Sequence, residues 1–156
     1  MHIQDITNFL EVKPWLGTAG MPNSDQLEII AAAGYQSVIN LALDQSPGAI
    51  PDEKKLATLL GMKFFHIPVI WEQPKVSQFS TFSSIMKKIE GEKIFVHCVL
   101  NMRVSVFVYL YRVLQLGESS QEAYKDILKI WKPDHTWQAF MKEVRSHYEK
   151  KIIIYV

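Results

Sequence analysis

The chain has 156 residues, of which 17 are Lys or Arg and 16 are Asp or Glu, for a formal net charge of +1. This length is typical of one hydrophobic core, and we expect residues 1–156 to form a single domain. The near balance of charge favours neither nucleic acid nor a membrane as a partner, so any preference for an anion has to be local.

Cysteine content and apolar runs limit the function further. No apolar run approaches the roughly 20 residues of a membrane-spanning helix, and MHIQDITNF lacks the basic start and long apolar stretch of a signal peptide. These features predict a cytoplasmic location. Cys98 is the only cysteine, so its thiol is either an inert core group or a reactive one. Because the His and Cys residues lack clustered ligand spacing, we predict neither a metal nor a cofactor.

The first half of the chain alternates between strand and helix patterns. Residues 1–14 give weak signals of a short turn or helix, and Trp15-Leu16-Gly17 is typical of a short strand before a Gly- and Pro-rich turn. The following elements are predicted to be a helix over 24–33, a buried strand over 37–41, a helix over 51–60 and a strand over 62–68.

The second half is mostly helical. Apolar spacing predicts a helix over 76–89, a short strand over 94–96, a buried helix over 103–116 and two last helices over 120–131 and 135–149. The order of elements predicts an α/β domain whose mostly parallel sheet has four or five strands and carries helices on both faces.

The chain ends in an apolar run, Ile152-Ile153-Ile154-Tyr155-Val156. A soluble chain seldom exposes such a run, so we expect it to pair as an edge strand or to cover a partner chain. The second arrangement would give a homodimer.

His97 and Cys98 close the predicted strand, and a short loop leads into the buried helix at Arg103. The thiol is therefore predicted at the carboxyl end of a strand and at the amino end of a helix. Unpaired backbone N–H groups and the helix dipole favour negative charge there, so the loop is expected to bind an anion such as phosphate. In an open α/β sheet this is also the edge where ligands bind.

The segment HCVLNMRVS resembles the signature of Cys-based protein phosphatases, which is His-Cys, five residues, Arg and then Ser or Thr. With HIPVIWEQP upstream, it is similar to a bacterial phosphatase-like family known as a domain of unknown function, which also occurs fused to metallo-β-lactamase-like hydrolases. The resemblance covers most of residues 12–140. It implies a phosphatase-like fold and a phosphorylated small molecule or phosphoprotein as substrate.

The same resemblance implies roles for the loop residues. Cys98 would attack phosphorus to form a cysteinyl-phosphate, while the loop N–H groups and Arg103 would hold the phosphoryl oxygens. Ser105 would donate a hydrogen bond to the Cys98 sulfur, and His97 would orient the loop without reacting. The alternatives are a solvated first-turn charge for Arg103, a helix residue that bonds its own backbone for Ser105, and a hydrogen-bonded core histidine for His97. The phosphate-binding set consists of Cys98, Val99, Leu100, Asn101, Met102, Arg103 and Ser105.

Related enzymes protonate the leaving group with an Asp on an earlier loop. Here that loop reads VIWEQP, and Trp71 stands at the position of the acid. Its neighbour Glu72 is the candidate general acid, with Asp44 as the second candidate. The alternative for Glu72 is a surface carboxylate in an exposed loop. Trp71 and His66 are candidates for the mouth of the pocket, and a core position is the alternative for His66.

The loop departs from the phosphatase signature, because four residues rather than five separate Cys98 from Arg103. Aligned without a gap, Val104 takes the usual place of Arg, and Asn101 takes that of Gly. Asn tolerates the left-handed backbone better than most residues, so the loop is expected to form. One helical step turns a side chain by about 100°, so exchanging residues 103 and 104 is expected to restore the usual geometry.

Three functions are compatible with these residues. The first is a Cys-dependent phosphatase, and the second is a non-catalytic module that binds phosphate. The third is sulfur transfer through a Cys98 persulfide, because rhodanese-type enzymes also place one Cys in a loop before a helix. The sequence does not identify the physiological substrate.

Overall fold

The computed structural model describes residues 1–154, and the side chains of residues 1–149. The strands are β1 (Leu10–Lys13), β2 (Leu16–Ala19), β3 (Ser37–Asn40), β4 (Lys63–His66) and β5 (Ile94–His97). The α-helices are α1 (Ser24–Ala32), α2 (Glu53–Leu59), α3 (Val76–Lys88), α4 (Met102–Leu114), α5 (Ser120–Ile130) and α6 (His135–Ile154). The predicted α/β class is confirmed.

The five strands form one sheet in the order β1-β2-β5-β3-β4. Only β1 is antiparallel, so the predicted mostly parallel sheet is also confirmed. β5 lies at the centre, where His97 is in register with Ala19 of β2 and Asn40 of β3. A central strand covered on both faces explains why β5 is a continuous apolar run.

Helices cover both faces of the sheet, as expected. Phe95 of β5 packs on the face that carries α1 and α2, whereas Ile94 and Val96 pack on the face with α3, α4, α5 and α6. α4 is the buried helix that the apolar pattern predicts. On its inner side, Phe107 contacts the rings of Phe79, Phe82, Trp137 and Phe140.

Two segments early in the chain differ from the sequence expectation. Leu10–Lys13 form the edge strand β1 rather than a turn or helix, because pairing with β2 supplies backbone hydrogen bonds that a local pattern does not reveal. α2 begins at Glu53 rather than at residue 51. Asp52 adopts a left-handed conformation (φ +53°), which a right-handed helix cannot include.

The predicted edge strand at the carboxyl end is wrong for the residues that the structure describes. α6 continues to Ile154, so residues 152–154 are helical. The isoleucines lower helix propensity only slightly, and the helix extends through them. Tyr155 and Val156 lie outside the described residues, and the homodimer through this tail remains a prediction. No helix within residues 1–154 is both long and apolar enough to cross a membrane.

α4 and α5 are joined by an ion pair that gives stability a pH dependence. Asp126 of α5 accepts from Arg112 Nη1 at 2.6 Å and lies 2.9 Å from Lys129 Nζ. Burial opposes ionisation of this carboxyl, but the hydrogen bonds from Lys129 and Arg112 outweigh burial and lower the pKa of Asp126. The folded state therefore favours the ionised carboxylate.

We expect Asp126→Asn to lower the free energy of unfolding at neutral pH by about 1–2 kcal/mol. Because the folded-state pKa lies below the unfolded one, this stability is present above the unfolded pKa and is lost as the pH falls through the folded value. Urea unfolding of both proteins at neutral and acid pH measures the difference. The control is Glu122→Gln, which breaks only an exposed ion pair with Lys125. If Asp126→Asn remains less stable than the wild type at acid pH, the lowered pKa of Asp126 is not the cause of its effect.

Candidate active site

The loop between β5 and α4 lies at the carboxyl edge of the sheet. Cys98 follows β5 directly, is only 1% exposed, and donates its backbone N–H to Ala19 O at 3.3 Å. Asn101 adopts the left-handed conformation (φ +68°) immediately before α4. The expectation that Asn can replace the usual Gly at this bend is therefore confirmed.

Backbone N–H groups of the loop are available to a ligand. In the part of the chain that the structure describes, no hydrogen bond is donated by the N–H of Val99 or Leu100, nor by those of Met102 and Arg103 in the first turn of α4. Consecutive unpaired N–H groups at a helix start form a concavity of positive potential that binds anions. Anion binding by the loop stays a prediction, and these N–H groups are compatible with it.

The segment before β1 braces the loop from outside. Asn8 Nδ2 donates to Leu100 O at 2.9 Å, and Asn101 Nδ2 donates to Asn8 O at 2.8 Å. Asn8 is itself left-handed (φ +50°), which aims both its side chain and its carbonyl at the loop. The sequence signals of residues 1–14 are too weak to indicate this role.

β2 supports the loop at a second point, through the turn after Ala19. Met21 N donates to Val99 O at 2.9 Å. A Cβ on Gly20 would overlap the same Val99 carbonyl oxygen. Only glycine allows the two backbones to approach this closely, so the GTAG segment has a positional role that its turn pattern does not reveal.

His97 anchors the start of the loop from below. Its side chain is fully buried, with Nδ1 3.3 Å from Cys98 O and Nε2 2.6 Å from Glu53 Oε2. This geometry agrees with the predicted orienting role of His97. Glu53 does not figure among the sequence-predicted site residues, because EKK at a helix start has the pattern of an exposed turn.

Arg103 is the buried cation of the site. It is 7% exposed, and its Nη1 donates to Val69 O at 2.7 Å in the loop between β4 and α3. Among the described residues no carboxylate pairs with it. Arg112, equally buried on the same helix, pairs with both Glu118 and Asp126. Because a buried charge without a partner is costly, Arg103 is suited to an anion from outside the chain.

The burial of Val104 bears on why the arginine lies one residue before its usual place. Val104 of α4, at the usual place of Arg, is completely buried in the core. The exchange of residues 103 and 104 would therefore put a guanidinium among apolar side chains. This burial argues against the expected gain in activity, which stays a prediction, and Arg103 is the arginine in the first turn of α4.

Ser105 does not make the hydrogen bond that the sequence predicts. Its Oγ donates to Met102 O at 2.6 Å and accepts from Trp131 Nε1 at 2.9 Å. The hydroxyl is thus directed to its own helical turn and to α5, not to the Cys98 sulfur. A first-turn serine commonly bonds its own backbone in this way.

Trp71 and Glu72 lie on the loop that Arg103 contacts. Trp71 packs against Trp131 and Trp137 with ring centroids 5.2 and 5.5 Å apart, and its carbonyl accepts from Trp137 Nε1 at 3.0 Å. This aromatic cluster fixes the loop on one side of the site. Glu72 is exposed and bonds neither Cys98 nor Arg103, so its role as general acid remains a prediction.

Asp44 and His66 line a separate cavity of about 340 Å³ at the same edge of the sheet, together with Asn40, Glu53 and Phe64. Asp44 Oδ1 is 3.7 Å from His66 Nδ1, and the Asp44 side chain is 94% exposed. His66 Nε2 is 2.6 Å from Ala42 O. The structure therefore groups these two residues with each other rather than with Arg103.

Comparison with solved structures shows which fold the chain shares. TpbA from P. aeruginosa, in complex with pTyr, is 14% identical with a TM-score of 0.70, and the match covers 91% of this chain and 90% of that one. Tk-PTP in its active form is 18% identical with a TM-score of 0.75, covering 89% and 97%. At these identities only the fold is shared, and that fold is phosphatase-like, as the loop resemblance implies.

The family follows from a nearer relative. The crystal structure of a "Putative phosphatase (DUF442)" from Shewanella putrefaciens CN-32 is 35% identical with a TM-score of 0.83, covering 94% of this chain and 96% of that one. The protein therefore belongs to the DUF442 family.

Curated proteins add a more distant match, and no protein-family model matches the chain. Beta-lactamase hydrolase-like proteins from Xylella fastidiosa strains Temecula1 and 9a5c are 27% identical over 108 residues. This match covers 67% of the present chain and 25% of theirs, so the chain spans about a quarter of the length of these relatives.

Arg103 and Arg112 form a matched pair for testing the anion site. We expect phosphate or sulfate to raise the melting temperature of the wild type, and Arg103→Met to weaken anion binding roughly tenfold to hundredfold through loss of charged hydrogen bonds. Without anion, Arg103→Met should be at least as stable as the wild type, because an uncompensated buried charge is removed.

Arg112→Met is the control. It should unfold at lower temperature, because Glu118 and Asp126 lose their common partner, yet it should bind anion like the wild type. Calorimetric titration with phosphate measures affinity for all three proteins. Wild-type affinity in Arg103→Met would show that the anion binds elsewhere.

Proposed function

We propose that this protein is a Cys-dependent phosphatase that hydrolyses phosphotyrosine or a small phosphate ester. The observation that carries the proposal is the buried Arg103 guanidinium, which has no counterion among the described residues and lies in the first turn of the helix that follows Cys98. A loop with unpaired N–H groups, a thiol and an unmatched cation together suit a phosphoryl group, with its several negatively charged oxygens.

In the proposed reaction, the Cys98 thiolate attacks phosphorus, and the bond from phosphorus to the leaving oxygen breaks. The N–H groups of the loop and Arg103 bind the non-bridging oxygens, whose charge they stabilise in the transition state. Water then attacks the cysteinyl-phosphate, which breaks the sulfur–phosphorus bond and releases inorganic phosphate. The two-step route needs neither a metal nor a cofactor.

The leaving oxygen takes a proton from Glu72 in this proposal. The loop of Glu72 is tied to Arg103 through Val69 O, and the neighbouring Trp71 carbonyl is fixed by Trp137. These contacts support a position of Glu72 beside the phosphate-binding loop. Asp44 remains the second candidate, although it lies in the cavity with His66.

The second candidate function is a module that binds phosphate without turnover. The observation that favours it is the engagement of the Ser105 hydroxyl by Met102 and Trp131, which leaves the Cys98 sulfur without its usual serine donor. In both functions the partner is a phosphorylated small molecule or a phosphoprotein in the cytoplasm. The net charge of +1 supports neither a nucleic acid nor a membrane as the partner.

An aryl phosphate assay separates the two functions. We expect slow turnover by the wild type, none by Cys98→Ser, and a loss of roughly 10²–10³ in rate for Arg103→Lys, which keeps the charge but not the planar fork. Phosphate binding should survive in Cys98→Ser. If the wild type binds phosphate but is as inactive as Cys98→Ser, the phosphatase proposal fails and the phosphate-binding module is the remaining function. Transfer of sulfur from thiosulfate to cyanide would instead indicate the persulfide function.

The general acid is tested with two leaving groups. Glu72→Gln should slow hydrolysis of an unactivated alkyl ester about 10²-fold or more, and that of an activated aryl phosphate much less, because an activated leaving group departs without a proton. The matched variant is Asp44→Asn. If Asp44→Asn shows this pattern and Glu72→Gln does not, the acid is Asp44.

A further inference from the structure

A buried chain of polar side chains leads from β3 through α2 to the carbonyl group of Cys98. Asn40 Oδ1 accepts from Ala42 N at 2.7 Å, and Asn40 Nδ2 donates to Glu53 Oε1 at 3.0 Å. Glu53 Oε2 lies 2.6 Å from His97 Nε2. His97 Nδ1 in turn faces Cys98 O at 3.3 Å. Asn40, Glu53 and His97 are 6%, 6% and 0% exposed.

The partners of His97 define where its protons lie. A carbonyl oxygen only accepts hydrogen bonds, so Nδ1 must carry a proton to bond Cys98 O. The remaining proton is shared between His97 Nε2 and Glu53 Oε2. On either atom the pair has no net charge, so the fold buries it without leaving an uncompensated ion.

Local structure explains why Glu53 reaches this position. It is the first residue of α2, and the left-handed Asp52 before it turns the chain so that the Glu53 side chain points inward. Both of its oxygens are then used, one by Asn40 and one by His97. A glutamate needed only for solubility would be exposed, as its neighbour Asp52 is.

We propose that Glu53 is a positioning residue of the active site, an inference that rests on the proposed function. Its carboxylate holds the His97 ring so that Nδ1–H donates to Cys98 O, which turns that carbonyl away from the anion and fixes the start of the loop. Glu53 does not touch the substrate. Its loss should therefore lower kcat while KM changes little, because Arg103 still binds the phosphoryl group.

The side chain of residue 53 can be varied so that hydrogen bonding is separated from volume. In Glu53→Gln, the amide oxygen can accept from Asn40 and the amide N–H₂ can donate to His97 Nε2, so the ring stays in place. Glu53→Met has a similar volume but no hydrogen bonds. Asp52→Asn is the control. It removes a neighbouring carboxylate that, like Glu53, lines the cavity of Asp44 and His66 but does not bond His97.

We expect Glu53→Gln and Asp52→Asn to keep kcat within about threefold of the wild type. Glu53→Met should lose roughly tenfold to hundredfold in kcat at nearly constant KM, the size of effect that a misplaced reacting group produces. Wild-type kcat in Glu53→Met would overturn the proposal. A kcat of Glu53→Gln as low as that of Glu53→Met would also overturn it, because the charge of Glu53 rather than its hydrogen bonds would then account for the loss of activity.

Two measurements do not depend on turnover, and they separate this inference from the proposed function. Alkylation of Cys98 by iodoacetamide at fixed pH should follow the same order, with Glu53→Met slower than the other three proteins. ¹⁵N NMR of the wild-type His97 ring should show a protonated Nδ1, which requires no variant to fold. If the wild type hydrolyses nothing but both results hold, the proposed function fails and the positioning role stands; an unprotonated Nδ1 would overturn the role.

Discussion

The candidate site depends on one constraint. The carbonyl groups of the loop that begins at Cys98 must accept hydrogen bonds from other parts of the protein. Five successive carbonyls, those of residues 98 to 102, lie against partners that can donate to them: the His97 ring, Met21 N, Asn8 Nδ2, Ser105 N and Ser105 Oγ. With the acceptors occupied, the N–H groups of Val99, Leu100 and Met102 remain for a ligand. A loop that lost these outer partners would be free to turn its carbonyl dipoles towards the anion and repel it.

The arginine fits this arrangement in spite of its shifted place in the sequence. Val104 is buried in the core, whereas the side chain of Arg103, one residue earlier on the helix, points in a different direction. Its guanidinium donates a hydrogen bond to the backbone carbonyl of Val69 in the loop between β4 and α3. One side chain therefore connects two loops at the carboxyl edge of the sheet. Among the described residues this buried charge is bonded by a carbonyl alone, which makes its position one where the fold is less stable than it could be.

The fold, and the place of the loop after Cys98 within it, could be predicted from sequence because their signals are local. The apolar run of β5, the buried pattern of α4 and the HCVLNMRVS loop are all contained within short windows. Glu53 and Asn8 could not be predicted, because their partners lie 44 and 92 residues away. The same reason applies to Ser105, whose bond to Trp131 spans 26 residues and redirects a hydroxyl that the loop pattern assigns to Cys98.

The hydrogen bond from Asn101 Nδ2 to Asn8 O also bears on how the chain folds. It joins positions 93 residues apart, so forming it closes most of the chain into one long loop. Contacts of such high sequence separation are costly in entropy until the intervening strands are paired, and they tend to form late. The loop is therefore expected to take this form only once the sheet is complete, and an anion that binds it, as proposed, would stabilise only such molecules.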